Sequence, residues 1–126
     1  METSRPVIVK RMPAKLNHAG ARDFFRDVTP LLDSDRPQMV FDLSQVKHMG
    51  VAGVEMLLDC MRRVMKRDGD LKLASPSPEA VIVLELTRTD RLFEIYDSST
   101  DAVRSFSCFL PNTLRAKDPA PAQIAA

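Results

Sequence analysis

Phe41-Asp42-Leu43-Ser44-Gln45-Val46-Lys47-His48-Met49-Gly50-Val51-Ala52-Gly53-Val54 decides the reading of this chain. Just ahead of it, Met39 and Val40 join Phe41 in an unbroken apolar run. Such a run predicts a strand over residues 39–43 that is covered on both faces, as in a central parallel sheet. A loop over 44–48 follows, with Val46 turned inward. A turn bounded by Gly50 and Gly53, two of the chain's four glycines, then opens a long helix. Val54, Leu57, Leu58, Met61, Val64 and Met65 fall on one face of that helix. Its first amides have no partner within the helix and face outward, favouring negative charge.

The flanks repeat the pattern. Upstream, residues 7–12 are β-branched at their start and predict a strand that Pro13 either ends or marks as an edge. Ala21, Phe24, Phe25, Val28, Leu31 and Leu32 have the same spacing as the central helix and predict another. Pro30 lacks an amide donor and pushes Thr29 from helical angles, so this helix is expected to kink or stop near Val28. A polar turn covers 33–37.

Downstream, Arg62, Arg63, Lys66 and Arg67 suit the negative end of the central helix, and Gly69 is its expected stop. Residues 71–74 predict a strand. Ser77-Pro78-Glu79 opens a helix that carries Val81, Ile82, Leu84 and Leu86. Residues 93–96 predict a last strand. Asp97-Ser98-Ser99 caps a final helix with Ala102, Val103, Phe106 and Leu110. The alternation implies one α/β domain over 1–110: a central mixed, largely parallel sheet against about four helices. From Pro111 the chain is Pro/Ala-rich and aperiodic, so 111–126 is expected to be a flexible tail.

Composition narrows the function. Eighteen Lys and Arg oppose seventeen Asp and Glu, for a net charge of +1. No charge surplus draws the chain to nucleic acid or an acidic membrane. No apolar run approaches the ~20 residues that span a bilayer, and residues 1–6 lack the apolar stretch of a signal peptide. Cys60 and Cys108 form no CxxC pair, and a reduced cytoplasm is the expected setting.

Single residues with chemical potential have plainer readings beside the sharp ones. His18 and His48 lie in different loops and read as surface histidines, so no metal or cofactor is expected. Cys60 sits off the apolar stripe and reads as a free packing cysteine. Asp42 could be an acid at a strand end, but binding of loop amides explains it. Gly50-x-x-Gly53 lacks the further Gly and the Lys of a phosphate-binding loop. Ser77 and Ser99 read as helix caps, and Met56, Met61 and Met65 as mostly core, with Met56 leaning towards the exposed side of its helix. Ser44, Ser75 and Ser98, with the two caps, remain formal phosphoacceptors.

With these residues in view, the sequence resembles the STAS domain family, whose type members are bacterial anti-sigma factor antagonists. The resemblance runs from about Val7 to Phe106. Pro13-Ala14-Lys15-Leu16-Asn17 sits where the family has a Gly-Arg-Leu-Asp turn. Asp42-Leu43-Ser44-Gln45-Val46 matches its Asp-Leu-Ser-x-Val strand end, and 49–53 occupies its Met-Asp-Ser-Ser-Gly loop. Leu71-Lys72-Leu73, Leu92-Phe93-Glu94-Ile95 and residues 98–106 match its later elements.

The resemblance implies that the second serine of that loop is the family's phosphoacceptor. Here Gly50 replaces the Asp, Val51 the first Ser and Ala52 the phosphoacceptor. Ala52 has no hydroxyl and cannot be phosphorylated. In relatives a phosphate adds about −1.5 to −2 charges and releases the partner. The implied function is a non-enzymatic signalling module in transcription regulation that binds an anti-sigma factor or related kinase-fold switch protein. The implied contact residues are Met49, Gly50, Val51, Ala52, Gly53, Glu55, Met56 and Asp59. Alternatives stay open: a scaffold subunit of a signalling assembly, or an accessory subunit of an ABC-type lipid transporter. Homodimerisation also stays open.

Overall fold

Residues 6–107 are described by a computed structural model. Its elements run β1 (Val7–Arg11), β2 (Lys15–Leu16), α1 (His18–Leu32), β3 (Gln38–Asp42), β4 (His48–Met49) and α2 (Val51–Lys66). Then follow β5 (Asp70–Ala74), α3 (Pro78–Leu86), a 3-10 turn (Thr89–Arg91), β6 (Ile95–Tyr96) and α4 (Ser99–Ser107). The expected positions of Cys108, Leu110 and the tail over 111–126 lie outside the described residues.

Met39, Val40 and Phe41 are fully buried because β3 lies inside the sheet. The strand order is β1-β3-β5-β6, and each pairing is parallel. Met39 and Phe41 face α1 and α2, where they meet Phe24, Val28 and Leu32 with Leu57, Cys60 and Val64. The rings of Phe24 and Phe41 meet edge to face, 5.1 Å between centroids. Each large side chain buried there is worth about 1.5–3 kcal/mol. Val40 faces the other way, into a smaller cluster with Ala74 and Ala102 under α4.

Lys72 shares that second face and is only 2% exposed. Burying a lone ammonium is costly, so it needs partners. It donates to Ser105 Oγ at 2.6 Å, pairs with Glu94 Oε1 at 3.2 Å and lies 4.3 Å from the Phe106 ring centroid. Those contacts tie α4 to the sheet.

Four expectations change. Helix α1 runs through Pro30 to Leu32 instead of stopping near Val28. Pro30 is exposed and in the last turn, where its missing amide removes a single i−4 bond, and Leu32 beyond it is fully buried, which holds the turn in place. The buried arc of α2 is rotated from the expected stripe: Met56 and Cys60 are inside, and Met65 is exposed. The cause is packing on two sides, against α1 and against β5. In α3 only Ala80 and Leu84 are buried, while Ile82 and Leu86 face solvent. Residues 93–96 pair only at Ile95–Tyr96, and Phe93 is buried in the core.

Gly69 follows α2 as expected, for another reason. Asp68 takes the left-handed conformation (φ 59°), and the Gly69 N–H closes onto Val64 O at 2.8 Å. What Gly69 supplies is space: an added Cβ would lie 2.2 Å from Pro37 O. Gly69→Ala is therefore expected to destabilise the fold by roughly 1–3 kcal/mol in urea unfolding.

Candidate functional site

The start of α2 is built by its neighbours. Strand β4 pairs in parallel with β2, setting Lys15 beside His48 and Leu16 beside Met49. The Gly50 N–H then donates to Leu16 O at 3.2 Å, and the Lys47 and His48 amides donate to Ala14 O at 2.7 and 3.0 Å. Neither short strand has enough residues to announce itself by alternation, and sequence reading passed over both.

The loop between β3 and β4 is held from within. Asp42 Oδ1 accepts the Ser44 amide at 2.8 Å, as expected of a loop-binding carboxylate. Asp42 Oδ2 also accepts from Ser99 Oγ at 3.4 Å, so Ser99 is a link and not a cap. The cap of α4 is Ser98, whose Oγ accepts the Asp101 amide at 3.1 Å. Ser77 caps α3 and donates to Val46 O at 2.6 Å, locking the buried Val46 loop to that helix.

Gly50 is the N-cap of α2 and offers no side-chain acceptor. Gly53 is buried one turn in, and an added Cβ would lie 3.0 Å from both Cβ and O of Leu16. Its missing side chain lets α2 sit directly on β2. The eight residues singled out from sequence therefore divide into two groups. Gly50, Val51, Glu55 and Asp59 are exposed and Ala52 is half-buried, while Met49, Gly53 and Met56 are buried beneath them. Val51 is the most open, at 71%. Met56, read as mostly core with a lean towards the exposed side, is buried where α2 packs on α1.

A groove of about 200 Å³ runs beside this corner, between α1 and α2. Ala21, Phe25, Ala52 and Met56 supply its apolar lining. His18 and Arg22 stand on the α1 side, Glu55 and Asp59 on the α2 side. Arg62 pairs with Asp59, whereas Glu55 has no ion-pair partner among the described residues. The α2 side was expected from the sequence; the α1 side was not. The signal was present in the spacing of His18, Ala21, Arg22 and Phe25, but the apolar members had been assigned wholly to the core.

Arg63 holds the two helices together. It pairs with Asp33 at 3.1 Å and lies 5.5 Å from the Phe25 ring centroid. The Asp33 hydrogen bond and charge hold the guanidinium above its usual pKa. Cys60 is fully buried, and desolvation, with the nearby Asp59 charge, pushes its thiol up to about 12. It stays protonated at neutral pH and is a packing group, not a nucleophile. His18 and His48 are exposed, and no cluster of three metal-ligating side chains occurs among the described residues. No helix there is long and apolar enough to cross a membrane.

The family pattern described as the STAS domain matches residues 1–102. Among curated proteins none matches the chain. Solved structures do. A proposed anti-sigma factor antagonist from Thermotoga maritima is 26% identical with a TM-score of 0.71, covering 79% of this chain and 88% of its own. An anti-sigma-factor antagonist (STAS) domain protein from Planctomyces limnophilus is 21% identical with a TM-score of 0.70, covering 79% and 90%. The STAS domain of a SulP transporter from Vibrio cholerae is 18% identical with a TM-score of 0.64, covering 82% and 83%.

Two measurements check the local chemistry. Gly50→Ser supplies the missing cap acceptor, meets nothing within 4 Å, and is expected to stabilise the fold by about 0.5 kcal/mol in urea unfolding. Cys60 titrates higher when folded than when unfolded, so stability falls as pH rises from the ordinary 9.0 towards about 12. Between pH 8 and pH 10 the chain should lose about 1 kcal/mol more than Cys60→Ala does.

Proposed function

The chain belongs to the STAS domain family, and on that premise we propose that it is a non-enzymatic, protein-binding signalling module of anti-sigma factor antagonist type, without a phosphorylatable hydroxyl at its docking corner. Its partner is an anti-sigma factor or a related kinase-fold switch protein.

The observation that carries this reading is the start of α2. Val51 is open to solvent and Ala52 borders the groove between α1 and α2. Both are apolar where the resemblance implies serines in relatives. A small apolar contact beside the carboxylates of Glu55 and Asp59 suits a protein surface with apolar and basic groups. Met49, Gly53 and Met56 act beneath it: they fix the backbone on which Val51 and Ala52 are presented. A phosphate at position 52 would place about −1.5 to −2 charges against Glu55 and Asp59, three and seven residues on. With alanine there, the corner stays in the state that stands for the unphosphorylated form.

The test uses a partner captured from native lysate and then purified. Incubation with a kinase-fold partner and ATP should leave the wild-type loop unmodified, and Ala52→Ser should gain one phosphate. Ala52→Asp and Val51→Asp should each weaken binding by about tenfold or more, the scale of a central interface residue. Unchanged affinity in both variants would remove the corner from the interface.

A further inference from the structure

Away from that corner, on the opposite face of the sheet, β1 leaves an edge open. It is the end strand in the order β1-β3-β5-β6, and no strand among the described residues pairs with its outer side. The direction of its backbone groups follows from one hydrogen bond. The Met12 N–H donates to Asp42 O at 2.9 Å, next to the Arg11–Asp42 register pair. In a parallel ladder alternate residues turn both backbone groups to the same neighbour. Lys10 and Met12 therefore bond to β3, and Val7, Val9 and Arg11 turn their N–H and C=O groups outward.

Beside that edge is a cleft. Helix α4 is the helix that covers this face, and it leaves a space of about 420 Å³ lined by Val9, Ser99, Thr100, Val103 and Arg104. Val9 is 41% exposed there, although its register partner Val40 is fully buried. Backbone donors and acceptors in a row, next to an apolar cleft on the side-chain face, are the two parts of a strand-addition site.

Charge selects the occupant. Lys10 and Arg11 end the strand without ion-pair partners among the described residues, and Arg104 borders the cleft. A second copy paired antiparallel about Val9 would bring four cations to one seam. Residues 111–126 carry Arg115 and Lys117 against the single acid Asp118, so that segment is a poor match as well. We propose that the β1 edge docks an extended segment of a partner protein in which apolar side chains alternate with carboxylates. The partner's backbone bonds to Val7, Val9 and Arg11. One apolar side chain enters the cleft against Val9 and Val103, and the carboxylates, on the other face of the added strand, meet Lys10, while Arg11 at the end of β1 adds to the positive field of the edge.

The test titrates the full, isotope-labelled chain with a synthetic peptide of alternating glutamate and valine, followed by amide NMR shifts. Shifts centred on Val7, Val9, Arg11 and Val103 are expected. Methylating alternate peptide nitrogens should weaken binding at least about tenfold, because it removes the ladder bonds. Lys10→Glu with Arg11→Glu, two surface changes, should weaken it about tenfold at low salt. The proposal fails if the methylated peptide binds equally, if the charge reversal has no effect, or if shifts are absent up to about 1 mM peptide. It fails too if the outward amides of Val7, Val9 and Arg11 already exchange slowly in the free chain. Slow exchange at every concentration would make the chain's own terminal segment the occupant. Slow exchange only at high concentration would make it a second copy.

Discussion

Burial of β3 on both faces is the constraint from which the rest of the architecture follows. A strand with apolar residues at consecutive positions cannot leave either face in water, so helices must cover both. The chain meets that need unequally. The α1 and α2 layer carries most of the core, and α4 shields the second face with a smaller cluster. The asymmetry explains the buried Lys72. One short helix is a thin cover, and Lys72, bonded to Ser105 and Glu94 and lying against Phe106, anchors it. It also explains the cleft over Val9, where that cover leaves the edge strand partly open.

The start of α2 is rigid for reasons of backbone chemistry. Its loop could not be left loose, because its amides would then lack partners wherever they are shielded from water. Asp42, Ser77, Ala14 and Leu16 supply those partners. The contact surface proposed at this corner, held this way, would lose little conformational entropy on binding. The apolar pair Val51 and Ala52 is thus presented on a frame that does not need to be ordered first.

The two surfaces differ in chemistry. The corner beside α1 and α2 carries Glu55 and Asp59, and the β1 edge carries Lys10 and Arg11. One suits a folded partner's apolar and basic patch, the other an extended acidic segment.

The sequence by itself determined the α/β class, the order of the main elements and the place where α2 begins. Apolar spacing in Phe24, Val28, Leu57 and Val64, the run at 39–41 and the caps at Ser77 and Gly50 are local signals, readable without knowing what lies opposite. The groove beside the start of α2 was legible only by half: Ala52, Glu55, Met56 and Asp59 were named, but the α1 wall with His18 and Arg22 was not. Tertiary structure alone decided the rest. It paired β2 with β4, carried α1 through Pro30, turned Met56 and Cys60 inward and left Ile82 and Leu86 outside. Each of these depends on which surface a residue meets across space. A two-residue strand, or a side chain at the border of a helical stripe, has too little local preference to choose its own environment, so packing chooses for it.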